Sequence, residues 1–174
     1  MQENLQAELF AAMARPDFYP HPVEGLEKRE THISCVFLTG SRVYKVKKAV
    51  ALGFLDFTRL ERRRHFCGQE LHLNRRLSRG VYLDVVAIRR SGKGFSLGDE
   101  GEVVEYAVCM RQLPDTATLG WRLHAKTLER GVCQRLAGRL AQFYREAPTG
   151  AGIERFGSRE TVGANCEENF AQIE

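Results

Sequence analysis

The chain has 174 residues, 43% of them hydrophobic, which is enough for one sizeable core. Its formal charge of +4, from 26 Lys+Arg against 22 Asp+Glu, suits an anionic ligand without requiring one. No apolar run reaches membrane-spanning length, and Met1-Gln2-Glu3-Asn4 opens no basic-then-apolar leader, so a soluble cytoplasmic protein with no membrane partner is expected. The five cysteines, Cys35, Cys67, Cys109, Cys133 and Cys166, are odd in number and form no C-x-x-C pair. That argues against a disulfide framework and a metal centre, and for buried thiols in a reducing compartment.

In chain order, Leu5, Leu9, Phe10 and Met13 recur at helical spacing and predict a helix over residues 3–14, ended by Pro16. Asp17 to Pro22 is extended loop, because each proline disfavours helix in its predecessor. Val23 to Arg29 reads as a first strand. Residues 30–47 then read as two strands joined by a tight turn at Thr39-Gly40-Ser41. In the first of these, Ile33, Cys35 and Phe37 alternate with Ser34, Val36 and Leu38. Both sets are mostly apolar, so the strand is covered on both faces. In the second, Val43, Lys45 and Lys47 share one face and Tyr44 and Val46 the other.

Ala49 to Phe57 is apolar and irregular, interrupted by Gly53. Thr58-Arg59-Leu60-Glu61 has the form of a capping box and starts a helix running to about Leu77. Strands follow at Val81–Ile88, Phe95–Leu97 and Glu102–Met110, separated by polar, glycine-containing turns. After Pro114 only helices are expected. The clearest has the stripe Leu128, Val132, Leu136, Leu140 and Phe143. The layout is α+β: an antiparallel sheet of five strands with one inserted helix, then helices.

Two lysines on a strand face have a plain reading, an edge that deters aggregation. They also have a chemical one, an ammonium held over a phosphate-binding cleft. Glu70 shifts the balance. On the helical wheel it falls with Phe66, Leu73, Asn74 and Leu77, inside an apolar stripe. A carboxylate there needs a cation, and Lys45 or Lys47 on the preceding strand can supply it. A strand lysine paired with a glutamate on the following helix is the phosphate-positioning pair of kinases. The alternative is that Glu70 lies at the stripe's edge and meets water.

Other patterns carry less. Gly92 to Gly98 is glycine-rich, but it precedes a strand and is spaced one residue too long for a phosphate loop. None of His21, His32, His65, His72 and His124 has metal spacing or a nucleophile beside it. Arg62-Arg63-Arg64 and Arg75-Arg76 are basic clusters whose ordinary reading is a solvated helix face.

Ala14 to Glu24, Glu30 to Ser34, Val36 to Gly40, Val43-Tyr44-Lys45, Leu52 to Phe57, Leu73 to Leu77, Val81 to Val86 and Val103 to Pro114 together resemble a bacterial family. That family has an N-terminal aminoglycoside-phosphotransferase-like kinase domain, typically followed by a P-loop ATPase-like domain. The resemblance covers nearly the whole chain. It implies a kinase-like small lobe over 1–113 and the first helices of an incomplete helical lobe over 114–174. It places Thr31, His32 and Ser34 at the nucleotide loop and makes Lys45 the phosphate lysine, with Lys47 in reserve. Glu70 becomes its partner, and Met110, Gln112 and Leu113 belong to a hinge at adenine. ATP and Mg2+ are the implied cofactors, with a hydroxyl-bearing small molecule as acceptor. Ala49 and Tyr144 depart from the family's pattern, where lysine or proline, and histidine, are common. The His-Gly-Asp…Asn loop and metal-binding aspartate of such kinases have no counterpart before Glu174, so this chain alone is expected to be inactive. The cut helical part is expected to self-associate through the Leu128–Phe143 stripe, or to be disordered beyond Pro114, when isolated. A non-catalytic, kinase-shaped interaction domain is the alternative, and a nucleic-acid-binding module using the arginine clusters is less favoured.

Overall fold

The structure, a computed structural model, describes residues 2–171. The chain divides into two compact units between Thr118 and Leu119. In the first, α1 (Gln2–Met13) and a 3-10 turn (Pro16–Phe18) precede β1 (Glu27–Glu30), β2 (Ser34–Leu38) and β3 (Arg42–Lys47). A two-stranded hairpin, β4 (Ala51–Leu52) and β5 (Leu55–Asp56), leads into α2 (Leu60–Arg75). Then come β6 (Tyr82–Ser91), β7 (Gly94–Ser96) and β8 (Glu102–Arg111). The sheet is antiparallel throughout, in the order β1-β2-β3-β8-β6-β7.

It has six strands rather than five, one for each strand run named in the sequence. β7, the strand expected at Phe95–Leu97, is a three-residue edge strand at Gly94–Ser96 on β6. The first strand also begins later than expected, at Glu27, because the amide of Glu24 is held outside the ladder by Thr39 O at 3.1 Å.

One sheet face carries the apolar core. Leu9 and Met13 of α1, with Phe18 and Tyr19 behind them, pack on Cys35, Phe37, Tyr44, Val46, Ile88, Ala107 and Cys109. The other face, which carries Lys45 and Lys47, is crossed by α2, packed on β8 and β6. The helix does not begin with a capping box. Asp56 Oδ1 accepts from both the amide and the hydroxyl of Thr58, at 2.9 and 2.6 Å, so the hydroxyl is spent there. No side chain caps the N-terminus at Arg59. The Thr39-Gly40-Ser41 turn is as expected. Gly40 sits at φ 92°, and a Cβ there would meet Glu24 O at 2.8 Å, so only glycine fits without a shift.

The second unit holds α3 (Leu119–His124), α4 (Val132–Arg145), α5 (Ala151–Glu154) and α6 (Arg159–Ala171). Leu128 lies outside α4, which starts after Gly131 in a left-handed conformation. None of the four helices contains a buried residue, and Leu136 and Leu140 of the expected stripe are exposed. Among the described residues no helix is long and apolar enough to cross a membrane.

Candidate functional site

The antiparallel register places Ser34 opposite Lys47 and Val36 opposite Lys45, and cross-strand partners share a face. Lys45 and Lys47 therefore project together toward α2. Their target is one carboxylate. Lys45 Nζ donates to Glu70 Oε1 at 2.9 Å and Lys47 Nζ to Oε2 at 2.8 Å. Burial pushes Glu70 up, but the two ammonium donors outweigh it and hold the carboxyl below its ordinary range.

The two lysines are not equivalent. Lys47 is 7% exposed and also lies over the Phe57 ring, 5.1 Å from its centroid. Lys45 is 30% exposed, so its side chain is partly open to solvent while its ammonium is fixed by Glu70. Tyr82 stands beside the pair: burial, followed by the charge of Glu70, raises its phenol pKa. The Ser34 hydroxyl, on the lysine face, is buried with no hydrogen-bond partner among the described residues.

Glu70 points inward for a different reason than the wheel suggested. Phe66, Leu73 and Leu77 are exposed, and the inner face of α2 is Arg63, Cys67 and Glu70. Arg63 anchors it. Its Nε donates to Glu105 Oε1 at 2.8 Å and Oε2 at 2.9 Å, and its Nη1 donates to the carbonyls of Phe57 and Thr58 at 2.8 and 3.0 Å. From the other helix, Gln6 Nε2 donates to Glu105 Oε2 at 2.6 Å and to Lys47 O at 3.0 Å, and Gln6 Oε1 accepts from Ala49 N at 2.8 Å. Glu105 thus ties α1 to α2, and Gln6 extends the link to the end of β3. The signal was present in the sequence: Glu105 interrupts an apolar strand, and Arg63 lies one and two turns before Cys67 and Glu70.

Thr31 and Ser34 close the β1–β2 turn. Thr31 N donates to Ser34 O at 2.9 Å, and Ser34 N donates to Thr31 Oγ1 at 3.0 Å. His32 is exposed at its tip. Met110 is registered against both Val43 and Tyr82. Gln112 is committed to structure, its Oε1 accepting from Gly40 N at 2.9 Å and its amide donating to Ser41 O at 3.0 Å. Leu113 beyond it is exposed.

The arginine clusters do not form one basic face. Arg62 pairs with Asp56, Arg63 is buried, Arg64 lies over Tyr106, and Arg75 donates to the carbonyls of Tyr82 and Leu83. Among the described residues no group of three or more His, Cys, Asp or Glu side chains is arranged to hold a metal ion.

The chain is similar to uncharacterized proteins of Mycobacterium bovis and of two strains of Mycobacterium tuberculosis, CDC 1551 / Oshkosh and H37Rv. Each is 31% identical over 156 residues, covering 88% of this chain. The matched region is 30% of the length of those relatives. No family model matches the chain, and no solved structure matches it.

Proposed function

We propose that the first unit is the nucleotide-phosphate-binding part of an aminoglycoside-phosphotransferase-like small-molecule kinase. The observation that carries this reading is the Lys45–Glu70 contact at 2.9 Å, with Lys45 partly exposed and Glu70 held from behind by Lys47. A preset, charge-assisted contact orients the ammonium before any ligand arrives, which is the role of a phosphate-positioning lysine. The layout supports it. A hairpin precedes the lysine strand, one helix carrying the glutamate follows, and two further long strands complete the sheet beside β3.

The parts expected to meet ATP fit unequally. Lys45 suits the phosphates, and the unpartnered Ser34 hydroxyl lies on the same sheet face. At Met110–Leu113 the amide of Gln112 is already used, which leaves the amide of Leu113, without a partner among the described residues, as the donor for adenine. Mg2+, when bound with the nucleotide, supplies charge neutralisation at the phosphates. Transfer of the γ-phosphoryl group to a hydroxyl acceptor belongs, in this proposal, to the whole protein, and this chain contributes the lysine that orients the phosphates.

The test is titration of the protein with MgATP. Lys45→Ala is expected to weaken binding about tenfold or more, the loss of one charge-assisted contact. Equal affinity in wild type and variant would refute the assignment. No affinity in the wild type, with the Lys45–Glu70 contact intact, would favour the non-catalytic interaction domain.

A further inference from the structure

On the opposite side of the sheet from Lys45 and Glu70, two arginines face each other. Arg42 is the first residue of β3 and Arg111 the last of β8, and they are register partners. Arg42 shares the face of Tyr44, and Arg111 that of Cys109. Like charges directly opposite across a sheet oppose each other. Among the described residues neither forms an ion pair with a carboxylate. Arg42 Nη1 lies 4.0 Å from the Cys109 sulfur. Asp84, across from Cys109 on β6, turns its Oδ1 to the amide of Val85 at 2.8 Å.

The two arginines border an open cleft of about 500 Å3, completed by His21, Ser41, Gly80 and Leu83. Gly80 leaves the space in which the Arg111 guanidinium lies: a Cβ there would meet Arg111 Nη2 at 3.0 Å, and its φ of 68° already favours glycine. His21 is pinned at the wall, its Nε2 3.0 Å from Tyr44 Oη and its ring stacked on the Tyr44 ring. Leu83 gives the cleft one apolar side.

We propose that this cleft binds a phosphate group, bridged between the Arg42 and Arg111 guanidiniums. Two planar forks on register partners that line one cleft can share the oxygens of a tetrahedral dianion, which offsets the repulsion between their like charges. Both an inorganic phosphate and the phosphate of a small phosphomonoester have this chemistry, and Leu83 is the surface on which an apolar ester group would rest. The site does not depend on the nucleotide reading of Lys45, because it uses the other face of the sheet.

The experiment is titration of the protein with inorganic phosphate and with phenyl phosphate, at constant ionic strength. Binding is read by amide chemical shifts and by the rise in melting temperature. Arg42→Gln and Arg111→Gln are each expected to weaken phosphate binding about tenfold or more, and Lys93→Ala, in the exposed β6–β7 turn, to leave it unchanged. Arg111→Lys, which keeps the charge but not the fork, is expected to fall between. Without phosphate, Arg111→Gln is expected to melt no lower than wild type, which separates loss of the site from loss of the fold. Tighter binding of phenyl phosphate, abolished by Leu83→Ser, identifies a phosphomonoester as the ligand, and equal binding identifies the free anion. Binding that persists in Arg111→Gln, or is lost in Lys93→Ala, or is absent in the wild type, overturns the proposal.

Discussion

Arg63 Nε lies 2.8 Å from Glu105 Oε1, and the two side chains are 4% and 1% exposed. The pair is deep enough that either charge alone would be stranded. Removing one partner of such a pair costs about 3–5 kcal/mol, whereas replacing both by apolar groups of similar volume costs far less. Arg63→Met and Glu105→Leu are each expected to be severely destabilised in urea titrations, and the double variant to regain a large part of the loss. Additive losses would mean the two residues do not act as a pair.

The same pair explains which parts of the site were legible in the sequence. Strand alternation placed Lys45 and Lys47 on one face, and the chain order placed Glu70 within their reach. The helical wheel then misjudged the neighbours. It weighted Phe66, Leu73 and Leu77 as the inner stripe, yet these are exposed. The inner face is occupied by a salt-bridged arginine, a thiol and a carboxylate, residue types that hydrophobicity assigns to the surface. Local competition hid one further feature: Thr58 reads as a helix cap until Asp56 is seen to take its hydroxyl.

The cysteines give an independent check on the core. Burial raises the Cys35 thiol to about 11 and the Cys67 thiol to about 12, and Cys109 is buried and raised as well. Cys133 and Cys166 are exposed. A thiol-reactive dye at mildly alkaline pH should label Cys133 and Cys166 rapidly in the folded protein and all five only after denaturation. Rapid native labelling of Cys67 would show that α2 does not stay packed on the sheet.

Acid should weaken the first unit in part through Glu70. Its folded pKa lies below the unfolded value, since the Lys45 and Lys47 bonds outweigh burial. The stability it contributes is therefore fully present above the unfolded carboxylate value of about 4.3, and is lost as pH falls through the lower folded value. Urea midpoints measured from about pH 6 down to about pH 3 should decline more steeply for wild type than for Glu70→Gln. Glu27, Glu30 and Asp56, also lowered by their own partners, contribute the decline that remains in the variant. Parallel curves would show that Glu70 does not titrate against the two lysines.

Lys45 and Lys47 should separate binding from stability. Lys47 is nearly buried, bonded to Glu70 at 2.8 Å and stacked on Phe57, so its charge belongs to the packing of α2 on the sheet. Lys47→Met leaves Glu70 with one donor in a site largely shut from water, at a cost of about 1–3 kcal/mol. Lys45 is 30% exposed, and its own contact with Glu70 is screened by solvent, so Lys45→Met should cost under about 1 kcal/mol. Under the nucleotide reading the order reverses for ligand affinity: Lys45→Met loses MgATP binding, while Lys47→Met keeps most of it once temperature is lowered to hold the variant folded. Urea titration and nucleotide titration of the same two variants read both quantities. If Lys47→Met loses affinity at full stability while Lys45→Met retains it, the phosphate lysine is Lys47 and Lys45 is the support.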